Sequence, residues 1–434
     1  MRLGPAKLLE NDPRFPIVDL PQAPPFVTVS SLPSAETSAH TMTPQERRAS
    51  GALALIYALR MLGLFLVLPV FAIEARHYPG GDDPLLLGVA MGIYGLTQAM
   101  LQLAYGMASD RWGRKPVIVL GLLVFALGSF WAAAADSVMG LLVGRSLQGA
   151  GAISAAVSAL LTDLTRDTVR TKAMALVGIS IGLMFSVSLV LSPILSAHWG
   201  LSGLFQLTGT LALLGVAVIV WLVPPAPPLP APEARAPFAE VLRHPGLMRL
   251  NLGVFVLHAV QLAMWMAIPA LLVAAGLDAS AHWSVYLPAV VASVLLMGGL
   301  FALERRGHLK AVFLTAIALL VLVQLGLLWA QQTHAGLWVL GLLLWGFFTG
   351  FNVLEATQPS LVTRLAPTGT RGAAMGLYNT LQSLGFFVGG WAGGALVKGW
   401  GAGALFATCA AALVVWGVVA RGMAPVPASP KARQ

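Results

Sequence analysis

Charge is what this 434-residue chain has least of. Only 10% of its residues are Asp, Glu, Lys or Arg, against about 25% in a soluble domain. So few charges cannot clothe a water-facing surface, and 57% hydrophobic residues are too many for a disordered chain. Cysteine is nearly missing. The single Cys409 excludes an intramolecular disulfide, a cysteine zinc cluster and an iron–sulfur site. No Walker phosphate loop is present, so ATP is not expected to drive the protein. Paired acids, His–Glu metal motifs and Ser–Lys dyads are absent from the apolar runs, which leaves an intramembrane enzyme without a catalytic set. With no sensory or effector domain, a non-transporting sensor is equally unsupported. No metal or cofactor is expected, and no enzyme.

What is present is a series of apolar runs at near-regular intervals. They predict an all-α polytopic membrane protein with twelve spans, at about 51–75, 86–109, 116–135, 137–164, 171–197, 201–223, 248–275, 280–303, 308–330, 335–364, 370–397 and 400–421. Each is long enough to cross ~30 Å of hydrocarbon. The division between spans 3 and 4 rests on Ala135-Asp136-Ser137 alone. Residues 1–50 are polar, carry eight prolines and read as a disordered cytoplasmic tail. Met42 opens a short basic cap before the first run, which fits a start there with residues 1–41 a misread extension; composition fits a genuine tail as well. Residues 224–247 read as a stiff linker, with seven prolines in 224–237. It divides a six-helix block at 51–223 from another at 248–421, and residues 422–434 form a short basic tail.

The net charge of +9 is a topology signal. With both termini inside, all but four of the 26 Lys/Arg are cytoplasmic. The exceptions are Arg76 and Lys398 outside and Arg60 and Arg145 within spans. This is the positive-inside asymmetry of a cytoplasmic-membrane protein, and charges scattered over short loops do not suit nucleic acid. The halves echo each other at an offset of 201: Arg170-Thr171-Lys172-Ala173-Met174-Ala175 aligns with Arg371-Gly372-Ala373-Ala374-Met375-Gly376. Two parallel repeats imply a site at their interface and alternating access by rocking.

Between spans 2 and 3 lies Gly106-Met107-Ala108-Ser109-Asp110-Arg111-Trp112-Gly113-Arg114-Lys115-Pro116. It resembles the signature loop of the major facilitator superfamily. Arg145-Ser146-Leu147-Gln148-Gly149-Ala150-Gly151 in span 4 resembles the Arg-x-x-Gln-Gly-x-Gly pattern of the drug–proton antiporter branch. The run from Arg60 to Pro69 is similar to the YajR-like bacterial subgroup, whose type member has an extra soluble C-terminal domain not seen in this sequence. In span 5 the branch's Gly-Pro-x-x-Gly-Gly ending is only partly kept: Pro193 stands, with serine and alanine in place of glycine, and close helix approach survives. Span 11 carries Gly385, Gly389, Gly390, Gly393 and Gly394, read as a packing face.

The resemblance implies two pseudo-symmetric six-helix bundles in a bacterial inner membrane, and a monomer. Its partners would be the lipid bilayer, protons and a small-molecule substrate. It places spans 1, 4, 7 and 10 around a central cavity; these carry Arg60, Arg145, His258 and Glu355. A charge at the bilayer centre costs at least ~2.5–3.5 kcal/mol, so such groups face water or a partner. Glu355 is the candidate proton carrier, with Arg60 or Arg145 as its electrostatic partner; a structural Arg–Glu pair is the alternative. His258 titrates in a useful range, though a lone histidine is as readily a packing residue. Tyr94, Gln98, Gln148, Gln261, Trp265, Asn352, Tyr378, Asn379 and Gln382 are candidates to line a substrate path, or to hydrogen-bond between helices. By resemblance, the loop residues Gly106, Asp110, Arg111, Gly113 and Arg114 meet Asp163 and lock the halves in the outward-open state near the start of span 11. The function so implied is proton-coupled efflux of amphipathic small molecules, with export of organic anions or sugars as the alternative.

Overall fold

The computed structural model describes residues 41–225, 238–303, 308–367 and 370–423. The expectations for residues 1–40, the proline-rich core of the linker and the C-terminal tail lie outside them. Among the described residues nine helices are long and apolar enough to cross a membrane. Two of these, Asp167–Trp221 and Arg371–Arg421, turn back at an internal glycine and each supplies two crossings. The interrupted pair Val138–Ala150 and Ser154–Asp163 supplies the twelfth. The remaining spans are Pro44–Glu74 (1), Pro84–Trp112 (2), Arg114–Ala133 (3), Pro245–Trp265 continued by Ile268–Ala274 (7), Trp283–Leu303 (8), Leu309–Thr333 (9) and Leu337–Leu365 (10).

Three boundaries differ from expectation, each for a local reason. Residues 44–50, assigned to the tail, form the first turns of span 1. Thr43 accepts from the Glu46 amide and the Glu46 carboxylate accepts from Thr43 N, a capping box. Glu46 also binds the Arg166 guanidinium at 2.8 and 3.0 Å, which ties the start of span 1 to the turn between spans 4 and 5. Residues 238–247, assigned to the linker, hold a short helix, Phe238–Arg243, and the first turn of span 7, which His244 caps. Span 4 is not continuous: it breaks at Gly151, where a Cβ would stand 2.4 Å from the Gly121 carbonyl oxygen. The division between spans 3 and 4 stands, with Ser137 capping Val138–Ala150.

The internal repeat is built into the backbone. Span 5 turns into span 6 at Gly200 (φ 62°, ψ −172°), and span 11 into span 12 at Gly401 (φ 81°, ψ 176°), positions separated by the same offset of 201. That region of backbone space is open to glycine almost alone. Each glycine follows an exposed tryptophan, Trp199 or Trp400, and precedes by five residues a fully buried phenylalanine, Phe205 or Phe406. The helix ends repeat too. Arg48 of span 1 donates to the Leu222 carbonyl at the end of span 6 at 3.0 Å, and the Arg249 guanidinium of span 7 lies against Gly422 at the end of span 12. Lys115 donates to Val223 O at 2.6 Å and Lys310 to Met423 O at 2.9 Å. In both halves cations thus meet the negative end of a helix dipole. They gather at one end of the bundle, called here the basic end.

Gly401→Ala should lower stability by about 1–3 kcal/mol through backbone strain alone, because nothing stands within 4 Å of its Cβ position. Gly178→Ala, in helical backbone with equally open space, should be neutral or slightly stabilising. Thermal unfolding in detergent compares the two.

Candidate functional site

Span 11 approaches two neighbours at backbone contact, on two faces rather than the single face expected. Cβ atoms on Gly385 and Gly389 would stand 2.5 and 2.2 Å from the carbonyl oxygens of Phe255 and Ala259 in span 7, and Gly393 packs on Ala263. Cβ atoms on Gly390 and Gly394 would stand 2.4 and 2.3 Å from Gly88 O and Pro84 O in span 2. Gly95 of span 2 comes as near to Ser383 O. The seam between spans 2 and 11 therefore runs from the far end of the molecule to its middle. At the far end Lys398 closes it with a 2.7 Å ion pair to Asp83. Toward the basic end there is open space beside Gly372 and Gly376 of span 11, Gly178 and Gly182 of span 5 and Gly299 of span 8. The halves meet at the far end and part toward the basic end.

The first polar network belongs to spans 1 to 4. Arg60, 1% exposed, donates to Tyr94 Oη at 2.7 Å, Gln98 Oε1 at 3.1 Å, Ser154 Oγ at 3.3 Å and Gly151 O at 3.4 Å. The break in span 4 presents that Gly151 carbonyl. Tyr94 Oη also donates to Gln98 Oε1. Arg145, also 1% exposed, donates to Gln148 Oε1 and Met91 O at 3.1 Å each and lies over the Tyr94 ring. Gln148 in turn donates to Ser129 Oγ at 2.8 Å. Neutral oxygens alone accept from the two cations in these bonds, and the Nε of each is buried without a hydrogen-bond partner.

The second network belongs to spans 7, 10 and 11. His258, 2% exposed, places Nε2 3.2 Å from Glu355 Oε2, whose side chain is 37% exposed. Gln382 Nε2 lies 2.8 Å from His258 Nε2 and 3.2 Å from Glu355 Oε1. His258 Nδ1 is 2.8 Å from the Val254 carbonyl. A carbonyl only accepts, so Nδ1 carries a hydrogen. Nε2 then faces the carboxylate oxygen either with a second hydrogen or with a lone pair. The Gln382 amide nitrogen only donates, so its 2.8 Å contact takes the lone pair, and Glu355 Oε2 has no hydrogen-bond partner of its own in this geometry. Glu355 therefore does not pair with Arg60 or Arg145, as the sequence suggested. The arginines are drawn to the oxygens of their own half, and the histidine takes the acid.

The two networks meet on adjacent residues. Gln382 serves His258 and Glu355, while Ser383 Oγ accepts from Gln98 Nε2 at 2.9 Å across the seam. Ser383 was not anticipated, and its sole sequence signal is its place beside Gln382. Of the candidate path residues, Gln98, Asn352, Asn379 and Gln382 are half-exposed at mid-membrane. Asn352 donates to Ser293 Oγ of span 8 at 3.1 Å. Tyr94, Gln148, Gln261, Trp265 and Tyr378 are buried, and so line no open path in this state; Tyr94 and Gln148 are held by the arginines instead. In span 5, Ser192 Oγ, beside Pro193, donates to Leu66 O at 2.5 Å, which confirms close approach to span 1.

At the basic end, Arg114 Nε binds Asp163 Oδ2 at 3.0 Å, and Nη1 binds Asp110 and Ser109 Oγ. All four residues lie in spans 2 to 4. Gly113 makes the turn (φ 94°, ψ 152°). Gly106, named with the lock, is helical, with only Ala155 Cβ near its Cβ position; Arg111 is exposed and outside the cluster.

A family model described as the Major Facilitator Superfamily matches residues 53–390. The chain is 42% identical to the inner membrane transport protein YajR of Escherichia coli K12, over 89% of this chain and 86% of that protein. It is 29% identical to the multidrug resistance protein MdtH of Aeromonas hydrophila, over 79% and 86%. Its fold is similar to the crystal structure of the human organic anion transporter MFSD10, with a TM-score of 0.66 at 21% identity, over 87% of this chain and 100% of that one.

The Lys398 hydrogen bond holds the Asp83 carboxyl below its ordinary range. A depressed value means the tie acts above the usual carboxylate range and fades as pH falls through the lowered one. Both side chains are partly exposed, so salt weakens the tie as well. Spin labels at the far ends of spans 2 and 11 should show longer distances at acidic pH or high salt, and Asp83→Asn should show them already at neutral pH.

Proposed function

Because the chain belongs to the Major Facilitator Superfamily, a family of transporters rather than enzymes, we propose that it is a proton-coupled antiporter that exports amphipathic small molecules by alternating access. It is a multi-pass inner-membrane protein. The positive-inside rule assigns the basic end and both termini to the cytoplasm. On that assignment the structure is the inward-open state, sealed outside by the seam of spans 2 and 11.

One observation carries the proton coupling: the His258–Glu355 contact, with the histidine buried and the carboxylate half-open to the space between the halves. In this state Gln382 donates to His258 and Glu355 together, and a proton gained on His258 Nε2 breaks that arrangement. Binding the proton from outside and losing it to the cytoplasm toggles a buried charge, which is the kind of change that biases a two-state body. No cofactor enters; the proton gradient is the energy source. Resemblance to drug-resistance relatives supports an amphipathic substrate. A second reading, export of organic anions, draws on Arg60 and Arg145, which donate to neutral oxygens and leave the centre of the first half positive.

The test is transport in reconstituted vesicles under an imposed pH gradient, with a cationic dye and an organic anion compared as probes. Glu355→Gln should abolish the gradient-driven component. Wild-type transport by that variant would end the proposal. Asp110→Asn should insert and fold normally yet transport several-fold more slowly, because Arg114 loses one of its two carboxylates.

A further inference from the structure

We propose that Ser383 and Gln98 are positioning residues that carry the protonation state of the His258–Glu355 pair across the seam to span 2. The inference rests on that pair being the proton site. The argument begins at Gln382, whose amide nitrogen reaches both members of the pair. With a hydrogen on His258 Nε2, the Gln382 amide nitrogen 2.8 Å away can no longer donate to it, and the amide hydrogens of Gln382 can serve only Glu355 Oε1. When the proton leaves, Nε2 again presents a lone pair to Gln382. Gln382 can then donate one hydrogen to each. The pull on this one side chain therefore depends on a single proton.

Gln382 and Ser383 are neighbours on one rigid helix, about 100° apart around its axis. The first faces spans 7 and 10; the second faces span 2. Ser383 is buried, donates back to Asn379 O at 3.0 Å and accepts from Gln98 at 2.9 Å. Gln98 is not free to follow it, because Arg60 and Tyr94 both hold its Oε1. A turn of span 11 that relaxes Gln382 must therefore stretch the Gln98–Ser383 bond. The glycine faces allow that turn and resist separation, since backbone meets backbone with no side chain between. The bond lies where the closed part of the seam gives way to the open part. Its making or breaking sets how far the seam extends toward the basic end. The coupling is a hydrogen-bond exchange between two packed helices, with no further titratable group needed on span 2.

Three variants in the same vesicles test this. Spin labels at the basic ends of spans 2 and 8 report the open fraction as pH is varied, and the infrared carboxylate band of Glu355, which shifts when its neighbour His258 gains or loses a proton, reports the pair. The wild type should show both a pH-dependent band and a pH-dependent open fraction. Ser383→Ala should keep the band and shrink the pH-driven change in the open-to-closed ratio by about fivefold, the worth of one hydrogen bond. Gln98→Leu should do the same, and the double variant should add nothing further. A Ser383→Ala protein with an unchanged pH response overturns the coupling. A band that survives Glu355→Gln overturns the proton-site reading itself, and separates that failure from the first.

Discussion

Span 11 lies at backbone contact with span 7 on one face and span 2 on the other, and the rest of the centre depends on that double approach. Side chains larger than hydrogen at Gly389 or Gly390 would push carbonyl oxygens apart by more than 1 Å. The polar side chains one to two turns away could not then reach across. Between lipid-solvated helices there is no hydrophobic drive to restore the contact, so close packing and hydrogen bonds must hold it. Span 11 is thus where the Arg60 network and the His258–Glu355 pair come within one peptide of each other.

The buried charges are answered differently in the two halves. In the first, two guanidiniums with several donors each collect neutral oxygens from spans 2 and 4, including a carbonyl that the break in span 4 presents. This is a fixed arrangement, since arginine does not release its proton. In the second, an imidazole and a carboxyl group face each other across 3.2 Å, and both are side chains that can gain or lose a proton. The first half is an anchor and the second a switch. Gln98 and Ser383 are where they touch.

Much of the fold was legible in the sequence, because hydrocarbon thickness sets the length of an apolar run. The span ends fall within four residues of expectation except the start of span 1, which lies seven residues earlier. What was missed depended on capping and backbone: the Thr43–Glu46 box that extends span 1, the glycine break in span 4, and the paired turns at Gly200 and Gly401, whose significance lies in a φ angle. The site was half legible. The short list Arg60, Arg145, His258 and Glu355 follows from the cost of charge in a membrane, but that cost does not say which acid meets which base. Pairing depends on helix rotation, and there the Arg–Glu expectation gave way to a His–Glu pair. Ser383 carries no charge and no motif, so only geometry singles it out.

The most direct test of the account is nitrogen NMR of the His258 ring in selectively labelled protein at neutral pH. Nδ1 should be protonated throughout, held by the Val254 carbonyl, and the Nε2 resonance should move strongly when Glu355 is replaced by Gln. An Nε2 resonance indifferent to that replacement would show that the two groups do not sense each other, and would contradict the account at its centre.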